Sequence, residues 1–325
     1  MKTFALLSSL AQIKLLADPR RLEILRLLMA QAATLSQLGR ILGKHPAWVQ
    51  HHVRTLERIG LVQVAEVRMN AGLPEKLYRA RAGGFAFREL ILPQGDRFAL
   101  VFAGSHDLVL EWLAEFLAPH LNLLLWPVGS LDGLADLRLG LCHFAGAHLC
   151  DANGEYNTPF VSRMFPDRPI RLVTLAHRTQ GWMTWPGNPR GVLGVEDLLQ
   201  PGLRFLNRNP GSGTRLWLDM ERKRRGIPAD AIPGYSQVVS THVEAAEQIA
   251  CGQADVALGL EAAARQQGLD FVPLFQERYD LVVPEEQIPA LTPLLEALHT
   301  AAFRQAVQRL GGYDVAESGM MRDVG

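Results

Sequence analysis

The sequence predicts two fold classes in one chain: a small α+β head followed by a larger α/β body. Three observations lead there. Charge divides along the 325 residues: positions 1–82 hold 13 Lys/Arg against 5 Asp/Glu, a net +8, whereas the whole chain is neutral, so the remainder carries −8. Helical periodicity dominates the start of the chain and then gives way to a hairpin pattern. From residue 98 onward, short apolar runs alternate with amphipathic stretches, as strands alternating with helices do.

The head takes its elements in a fixed order. In "LADPRRLEILRLLM" (16–29), Asp18 can cap a helix and Pro19 suits its first position, where a missing N–H costs nothing. "TLSQLGRILG" (34–43) reads as a short helix opened by Thr34 or Ser36 and closed by Gly43. "HPAWVQHHVRTLERIGLV" (45–62) reads as the next helix, with Val49, Val53 (or His52), Leu56 and Ile59 on its inner face and Gly60 as its stop. Two strands follow, 61–69 and 75–81, joined through Asn-Ala-Gly-Leu-Pro. Three helices and a β-hairpin form the winged helix-turn-helix order, and a basic head on an acidic body suits a polyanionic partner.

"LADPRRLEILRLL" and "WVQHHVRTLERIGLV" resemble the ArsR-type winged-helix regulators over about 70 residues. The resemblance implies that the second helix of the pair enters the DNA major groove. Its outward positions would be Ala47, Trp48, Gln50, His51 and Arg54, of which Gln and Arg can each bond a base edge twice. Lys44, Arg58, Arg68, Lys76 and Arg79 would neutralise phosphates. A solvated polar face or a protein-contact role is the plainer alternative. The family's metal sensors use thiolates in this domain; with no cysteine before Cys142, that switch is excluded here.

The start "MKTFALLSSLAQ" is not read as a secretory signal, because its apolar run continues in helical period into Ile13, Leu15 and Leu16. No apolar stretch reaches membrane-spanning length. Three scattered cysteines, Cys142, Cys150 and Cys251, fit a reducing compartment, so a cytoplasmic protein is expected. The expected domains are the head at 1–82, a linker at 83–97 containing Gly83-Gly84 and Pro93-x-Gly95, and the body at 98–325.

In the body, strands are expected at 98–104, 122–128, 141–146, 169–177, 203–208, 254–259 and in 270–284. Helices are expected at 106–120, 130–140, from the Gly-Ser-Gly-Thr loop to about Arg225, at 240–252 and across 289–311. This alternation implies parallel sheets with ligands at the strands' carboxyl ends. Three strand-to-helix junctions carry hydroxyls: Ser105 in "FAGSHD", Ser130 in "PVGSLDGL", and Ser212 and Thr214 in "NRNPGSGTR". A helix N-terminus attracts anions and glycine admits a ligand to the backbone. Any one such residue is more simply a cap on its own helix; three of them, the last flanked by Arg208 and Arg215, favour a ligand site.

"HLCDANGEYNTPFVSR", "LAHRTQGW", "GNPRG", "NRNPGSGTR" and "GLDFVPLFQERYDLVVP" resemble a cytoplasmic branch of the type II periplasmic-binding-protein superfamily, found with molybdate-type regulators and molybdopterin molybdenumtransferases. The resemblance spans nearly all of 98–315 and implies two lobes closing on a ligand. Lobe crossings would lie near Thr174–His177 and Gln276–Leu281, with the second lobe at about 178–272. With the junction hydroxyls and the charged residues at strand ends and helix starts, where the chain departs from the molybdate pattern, the candidate ligand residues are Ser105, His106, Ser130, His148, Arg178, Arg208, Gly211, Ser212, Gly213, Thr214 and Arg215. Ser105 and Ser130 match the molybdate-binding arrangement by position, and Ser212-Gly213-Thr214 looks more like phosphate-binding relatives. His177 and His242 add further cationic candidates, more than a simple oxyanion needs, so a larger organic or cofactor-like anion is the alternative ligand.

Cys142, His143, His148 and Cys150 invite a metal reading, but strand geometry would point Cys142 and His143 to opposite faces. No G-x-S-x-G, Walker loop or H-E-x-x-H is present, and no cofactor is implied. The expected protein is therefore a homodimeric regulator that binds double-stranded operator DNA and senses a small anion such as molybdate or tungstate, without catalysis and without a membrane. An enzyme or metal protein using the cluster at 142–150 is the alternative of another class.

Overall fold

The structure is a computed structural model and describes residues 5–7, 9–70, 73–87, 90–93, 97–151 and 153–324. It divides into two compact units, residues 1–90 and 91–325.

The first unit contains β1 (Ala5–Leu7), α1 (Leu10–Leu16), α2 (Pro19–Ala30), α3 (Leu35–Leu42), α4 (Pro46–Arg58), β2 (Val62–Asn70), β3 (Leu73–Ala80) and β4 (Phe85–Phe87). Local chemistry sets the helix ends. Asp18 accepts from Arg20 N–H ahead of Pro19, and Thr34 forms a capping box with Gln37. Gly43 closes α3 in the left-handed region at φ 62°. β2 and β3 pair antiparallel, and Ala33 bridges to Tyr78 as a third, minimal strand. Ile24, Leu25, Leu28, Leu38, Val49, Val53 and Leu56 make the core, so the helical stripes read from sequence meet as expected. α4 ends at Arg58, and Gly60, at φ 77°, stops it as expected before β2 begins at Val62. In the expected linker, residues 85–87 form β4, parallel to β1; Gly95, like positions 71 and 72 of the hairpin turn, lies outside the described residues.

The second unit runs β5 (Phe98–Gly104), α5 (Leu108–Leu117), β6 (Leu121–Pro127), α6 (Ser130–Arg138), β7 (Phe144–Ala147), α7 (Thr158–Met164), β8 (Ile170–Thr184), β9 (Phe205–Arg208), α8 (Gly213–Arg224), β10 (Val238–Val239), α9 (His242–Ala250), β11 (Val256–Leu260), α10 (Glu261–Gln266), β12 (Asp270–Pro284), α11 (Ile288–Ala297), α12 (Ala301–Leu310), β13 (Tyr313–Asp314) and β14 (Met321–Val324). One sheet carries the order β10-β9-β11-β8-β12-β7-β5-β6, with β13 and β14 also on β8.

The sheet is mixed, which corrects the expectation of parallel pairing. β5 pairs parallel with β6 and β7, and β9 with β10 and β11, inside each lobe. β8 and β12, each 15 residues long, pair antiparallel along their whole length because the chain crosses between lobes once in each direction. The strand expected at 169–177 thus continues through Gly181 to Thr184. The strand expected at 141–146 begins only at Phe144, so Cys142 and His143 sit in the turn before it.

One core fills the first lobe around Phe102, Leu113, Phe144, Leu281, Leu294 and Phe303. Two fill the second, one around Ala246, Ile249 and Ala263, the other around Trp182, Val192, Phe205 and Leu218. Leu108, at the start of α5 in the first lobe, packs into the former. The lobes are therefore closed on each other.

Candidate functional site

Closure brings three strand-to-helix junctions face to face. Leu131 N–H donates to the Gly211 carbonyl (3.1 Å), and Asn209 Nδ2 donates to the Val128 carbonyl (3.0 Å). A Cβ on Gly213 would stand 2.5 Å from His148 Nδ1, so glycine lets the second lobe seat against the first.

The three hydroxyl junctions turn out to differ. Ser212 caps α8, accepting from Arg215 N–H at 3.2 Å and donating to the Asn209 carbonyl at 2.9 Å, which is the plain capping role. Ser105 caps nothing, since Asp107 holds that position on α5. Ser130 is the first residue of α6, whose N-cap Gly129 offers no side chain. Their hydroxyls instead meet at 2.9 Å, both fully buried.

A chain of polar side chains continues from that pair. His148 Nε2 lies 3.0 Å from Ser105 Oγ, its backbone N–H donates to Ser130 Oγ (3.3 Å), and its Nδ1 lies 2.7 Å from Glu277 Oε2. Arg178 grips the other oxygen of Glu277 through Nε (2.8 Å) and Nη2, and reaches Asp107 through Nη1 at 2.7 Å. Gln180 donates to Glu277 Oε1 (2.8 Å) and to Thr214 Oγ1 (2.9 Å). Burial would raise the Glu277 carboxyl, but Arg178 and His148 outweigh it and hold the group at about 2. Burial opposes the Arg178 charge, and Glu277 and Asp107 more than restore it. Arg178 also stacks over the Tyr279 ring at 4.2 Å.

Arg208 is the contrast. It too is buried, yet among the described residues only Nη2 finds a partner, the Ser240 carbonyl at 2.7 Å; Nε and Nη1 have none. Burial, then the charge of Arg178, brings it down to about 9. His242, fully buried at the start of α9, has neither ring nitrogen partnered, and His106 Nδ1 is unpartnered too. Burial holds His242 well below the usual histidine range, and the charges of Arg208 and Arg178 push the same way. Buried donors without acceptors are costly in a finished core, and here they cluster where two lobes close.

Of the expected ligand residues, Ser105, Ser130 and His148 are in direct contact, Arg178 and Thr214 join them through Glu277 and Gln180, and Arg208 faces the same charges. His106 sits beside them but pairs its Nε2 with Glu111 at 2.7 Å. Gly211 (φ 84°) supplies the carbonyl latch described above. Arg215 turns away: it bonds Asp219 and the Arg208 carbonyl and lies 4.1 Å over the Tyr235 ring. His177 pairs with Glu317 outside this network. Asp107, Gln180, Glu277 and Tyr279 were not anticipated. Strand alternation held the signal, because Glu277 shares a strand face with buried Tyr279, and Gln180 lies between buried Arg178 and Trp182.

The Cys/His stretch is dispersed. Cys142 is buried with Sγ 4.0 Å from the Gly133 carbonyl, and burial pushes its thiol up to about 12. His143 Nδ1 accepts from Val101 N–H at 2.9 Å, and Cys150 bonds the Asp151 carbonyl. Among the described residues no group of three or more His, Cys, Asp or Glu is placed to hold a metal ion.

In the first unit, Ala47, Gln50, His51, Arg54 and Arg58 line one groove along α4, of about 380 Å³. Trp48 does not share it: half-buried, it packs against the core and meets the His52 ring edge-on at 4.3 Å, with the Lys44 amine 5.9 Å from its ring. On the hairpin Lys76 is exposed and Arg79 half-buried, while Arg68 is clamped by Glu66 through two 2.8 Å bonds.

Among the described residues no helix is long and apolar enough to cross a membrane. Comparison with known proteins agrees with the two-part organisation. Residues 18–64 match the family described as bacterial regulatory protein, arsR family, and residues 113–299 the one described as PBP superfamily domain. The uncharacterized protein YvgK of Bacillus subtilis (strain 168) is 36% identical over 193 residues, 59% of this chain and 62% of that one, so the chain spans less than two thirds of that relative. An uncharacterized protein in the ferredoxin 2Fe-2S gene 5' region of Clostridium pasteurianum is 36% identical over 105 residues, 31% of this chain and 93% of its own length. Among solved structures, a tungstate ABC transporter protein from Geobacter sulfurreducens aligns with TM-score 0.46 and 11% identity over 65% of this chain and 98% of its own. An ABC-type phosphate transport receptor from Vibrio cholerae gives TM-score 0.43 and 16% identity over 66% and 98%. The chain belongs to the PBP superfamily domain family, and its head is an ArsR-family regulatory helix-turn-helix region.

Proposed function

We propose that this protein is a ligand-responsive DNA-binding regulator, a homodimer on a twofold-related operator, whose two-lobed unit senses a small anion. The observation that carries the reading is the buried, half-satisfied Arg208 beside His242, whose ring nitrogens are both unpartnered. A cation removed from water with two donors idle is unfavourable, and an anion held between the lobes would satisfy it. Arg178 cannot serve equally, being already matched by Asp107 and Glu277. An oxyanion such as molybdate or tungstate would bring acceptor oxygens to the idle donors of Arg208 and His242.

A larger organic anion is the second reading, favoured by one observation. A cavity of about 310 Å³ walled by Phe102, Leu110, Leu125, Pro127 and Val243 opens beside His106 and Asp107; Glu111, Glu244 and Glu247 also line it, so only the apolar part of such a ligand would lie there, with its charge toward Arg208. A tetrahedral oxyanion would leave that apolar wall unused.

DNA contact would fall to Gln50, His51 and Arg54 along the α4 groove, with Lys44, Arg58, Lys76 and Arg79 on phosphates. Closure would alter DNA affinity only as far as the ligand prefers the closed form. The test is calorimetric titration of extensively dialysed protein with molybdate, tungstate, sulfate and phosphate, followed by recovery of genomic DNA fragments with and without the anion that binds. Micromolar binding that changes DNA recovery supports the oxyanion reading. Silence from all four in folded, empty protein rejects it and turns the search to organic anions.

A further inference from the structure

The hydrogen-bond chain through His148 has a direction, and chemistry fixes it. Glu277 is ionised and can only accept, so His148 Nδ1 carries the proton of their 2.7 Å bond and a neutral ring leaves a lone pair on Nε2. Ser105 must then give its one hydroxyl proton to Nε2 across 3.0 Å. Having spent that proton, Ser105 can only accept from Ser130 across 2.9 Å, and Ser130 Oγ in turn accepts the His148 backbone N–H. Both serine hydroxyl protons are therefore committed to the protein. With a neutral ring the two serines present lone pairs, which repel an anion.

Protonating Nε2 reverses the order. Nε2–H donates to Ser105, Ser105 no longer owes its proton to the ring, and both hydroxyls can turn toward an anion. The charge balance runs the same way. Asp107 and Glu277 both pair with Arg178 and leave one negative charge in excess there, and Arg208, which pairs with neither, carries one positive charge, so a dianion enters a cleft with no net positive charge among these four groups. An imidazolium on His148 supplies one positive charge, in contact with a carboxylate that stabilises it.

We infer that the cleft takes up one proton on His148 for each divalent oxyanion it binds, so that proton and anion bind cooperatively. This rests on the anion-sensing reading above. Every charged or titratable group around the ring bears on it. Glu277 and Tyr279 face it from β12, Arg178 from β8 and Arg208 from β9. His242 lies close enough on α9 to feel its charge, and Cys150 and Tyr156 line the same small cavity. Without ligand, burial first, aided by the Arg178 and Arg208 charges, keeps His148 below the ordinary histidine value despite Glu277, so the proton is absent near neutral pH. His242 is less suited to receive it, having two arginine charges near it and no carboxylate partner.

The experiment is calorimetry of the intact protein with sodium tungstate and sodium molybdate at pH 7.5, in two buffers of different ionisation enthalpy. About one proton should be taken up per anion, and affinity should fall up to about tenfold per pH unit as pH rises from 6.5 to 8.5. His148→Gln should bind more weakly, without proton uptake and with a flat pH profile. Ring-nitrogen NMR shifts of wild-type protein supply the same reading without a variant: one histidine should become imidazolium on saturation, and His148→Gln should remove that signal. Anion binding with no proton uptake overturns the inference and leaves the anion-sensing reading standing. Uptake that persists in His148→Gln overturns the assignment to His148. No binding of either anion in folded, ligand-free protein overturns both.

Discussion

Arg178 and Arg208 are buried in the same closed cleft, and only Arg178 is neutralised: it holds Asp107 and Glu277, whereas Arg208 bonds a single carbonyl. Two arginines in one low-dielectric space with such unequal partners divide the labour. Arg178 fastens the strands and the first lobe together, and Arg208 is the group that the proposed anion would meet.

Removing Arg208 should therefore help the empty protein and harm the loaded one. Arg208→Met deletes a buried cation with two idle donors, so the unliganded thermal midpoint should hold or rise, by up to about 1–4 kcal/mol in equivalent stability. The thermal shift produced by the bound anion should disappear. Differential scanning calorimetry with and without ligand checks both.

Glu277→Gln should do the opposite to the empty protein, costing about 3–5 kcal/mol by leaving Arg178 undercompensated and His148 unanchored. Because Glu277 is held at about 2 against an ordinary 4.5, its contribution is complete above pH 4.5 and is lost as pH falls toward 2. Denaturant unfolding from pH 7 to pH 3 should show wild type losing stability through that window, with the variant's curve losing less.

Closure depends on a missing side chain. In Gly213→Ala the added Cβ would meet the His148 ring at 2.5 Å and its carbonyl at 2.6 Å. The variant should fold, stay more open in small-angle scattering, and lose ligand affinity by about tenfold or more, since the binding-competent closed form is less populated.

On α4, neighbouring positions should separate stability from recognition. Trp48→Ala should lower the thermal midpoint by the equivalent of about 1–3 kcal/mol, because the indole packs on the core. Arg54→Ala, on the exposed groove, should leave the midpoint within about 0.5 kcal/mol and weaken DNA binding. Anisotropy titrations at several salt concentrations distinguish a lost phosphate contact, which reduces the salt slope by about one, from a lost base contact, which does not.

The head is legible in its sequence because its signals are local. Asp18-Pro19, the Thr34 capping box and Gly43 decide helix ends without distant partners, and the apolar stripe needs only period counting. The hydroxyl junctions of the cleft are legible for the same reason, but local sequence does not separate a cap from a relay: Ser212 caps its own helix, while Ser105 and Ser130 meet across 25 positions of sequence. Long-range pairing is not legible in that way. Glu277 meets His148 across 129 positions and Arg178 across 99, and nothing near either end announces the partner. Antiparallel pairing of β8 with β12 was hidden similarly, since each strand alone looks like one more step in a strand–helix alternation. Helical position alone puts Trp48 on the outward side of α4, and its size lets it reach back to the core.

Whether Arg208 holds the anion is decided by calorimetric titration of wild type and Arg208→Met, side by side, with the oxyanion that wild type binds. The account predicts a single site in wild type and a loss of at least about thirtyfold in affinity in the variant, with folding intact, as expected when a buried charged partner is removed. Equal affinity in the two proteins would contradict it, because the anion would then be held somewhere other than at the one buried arginine left half-satisfied.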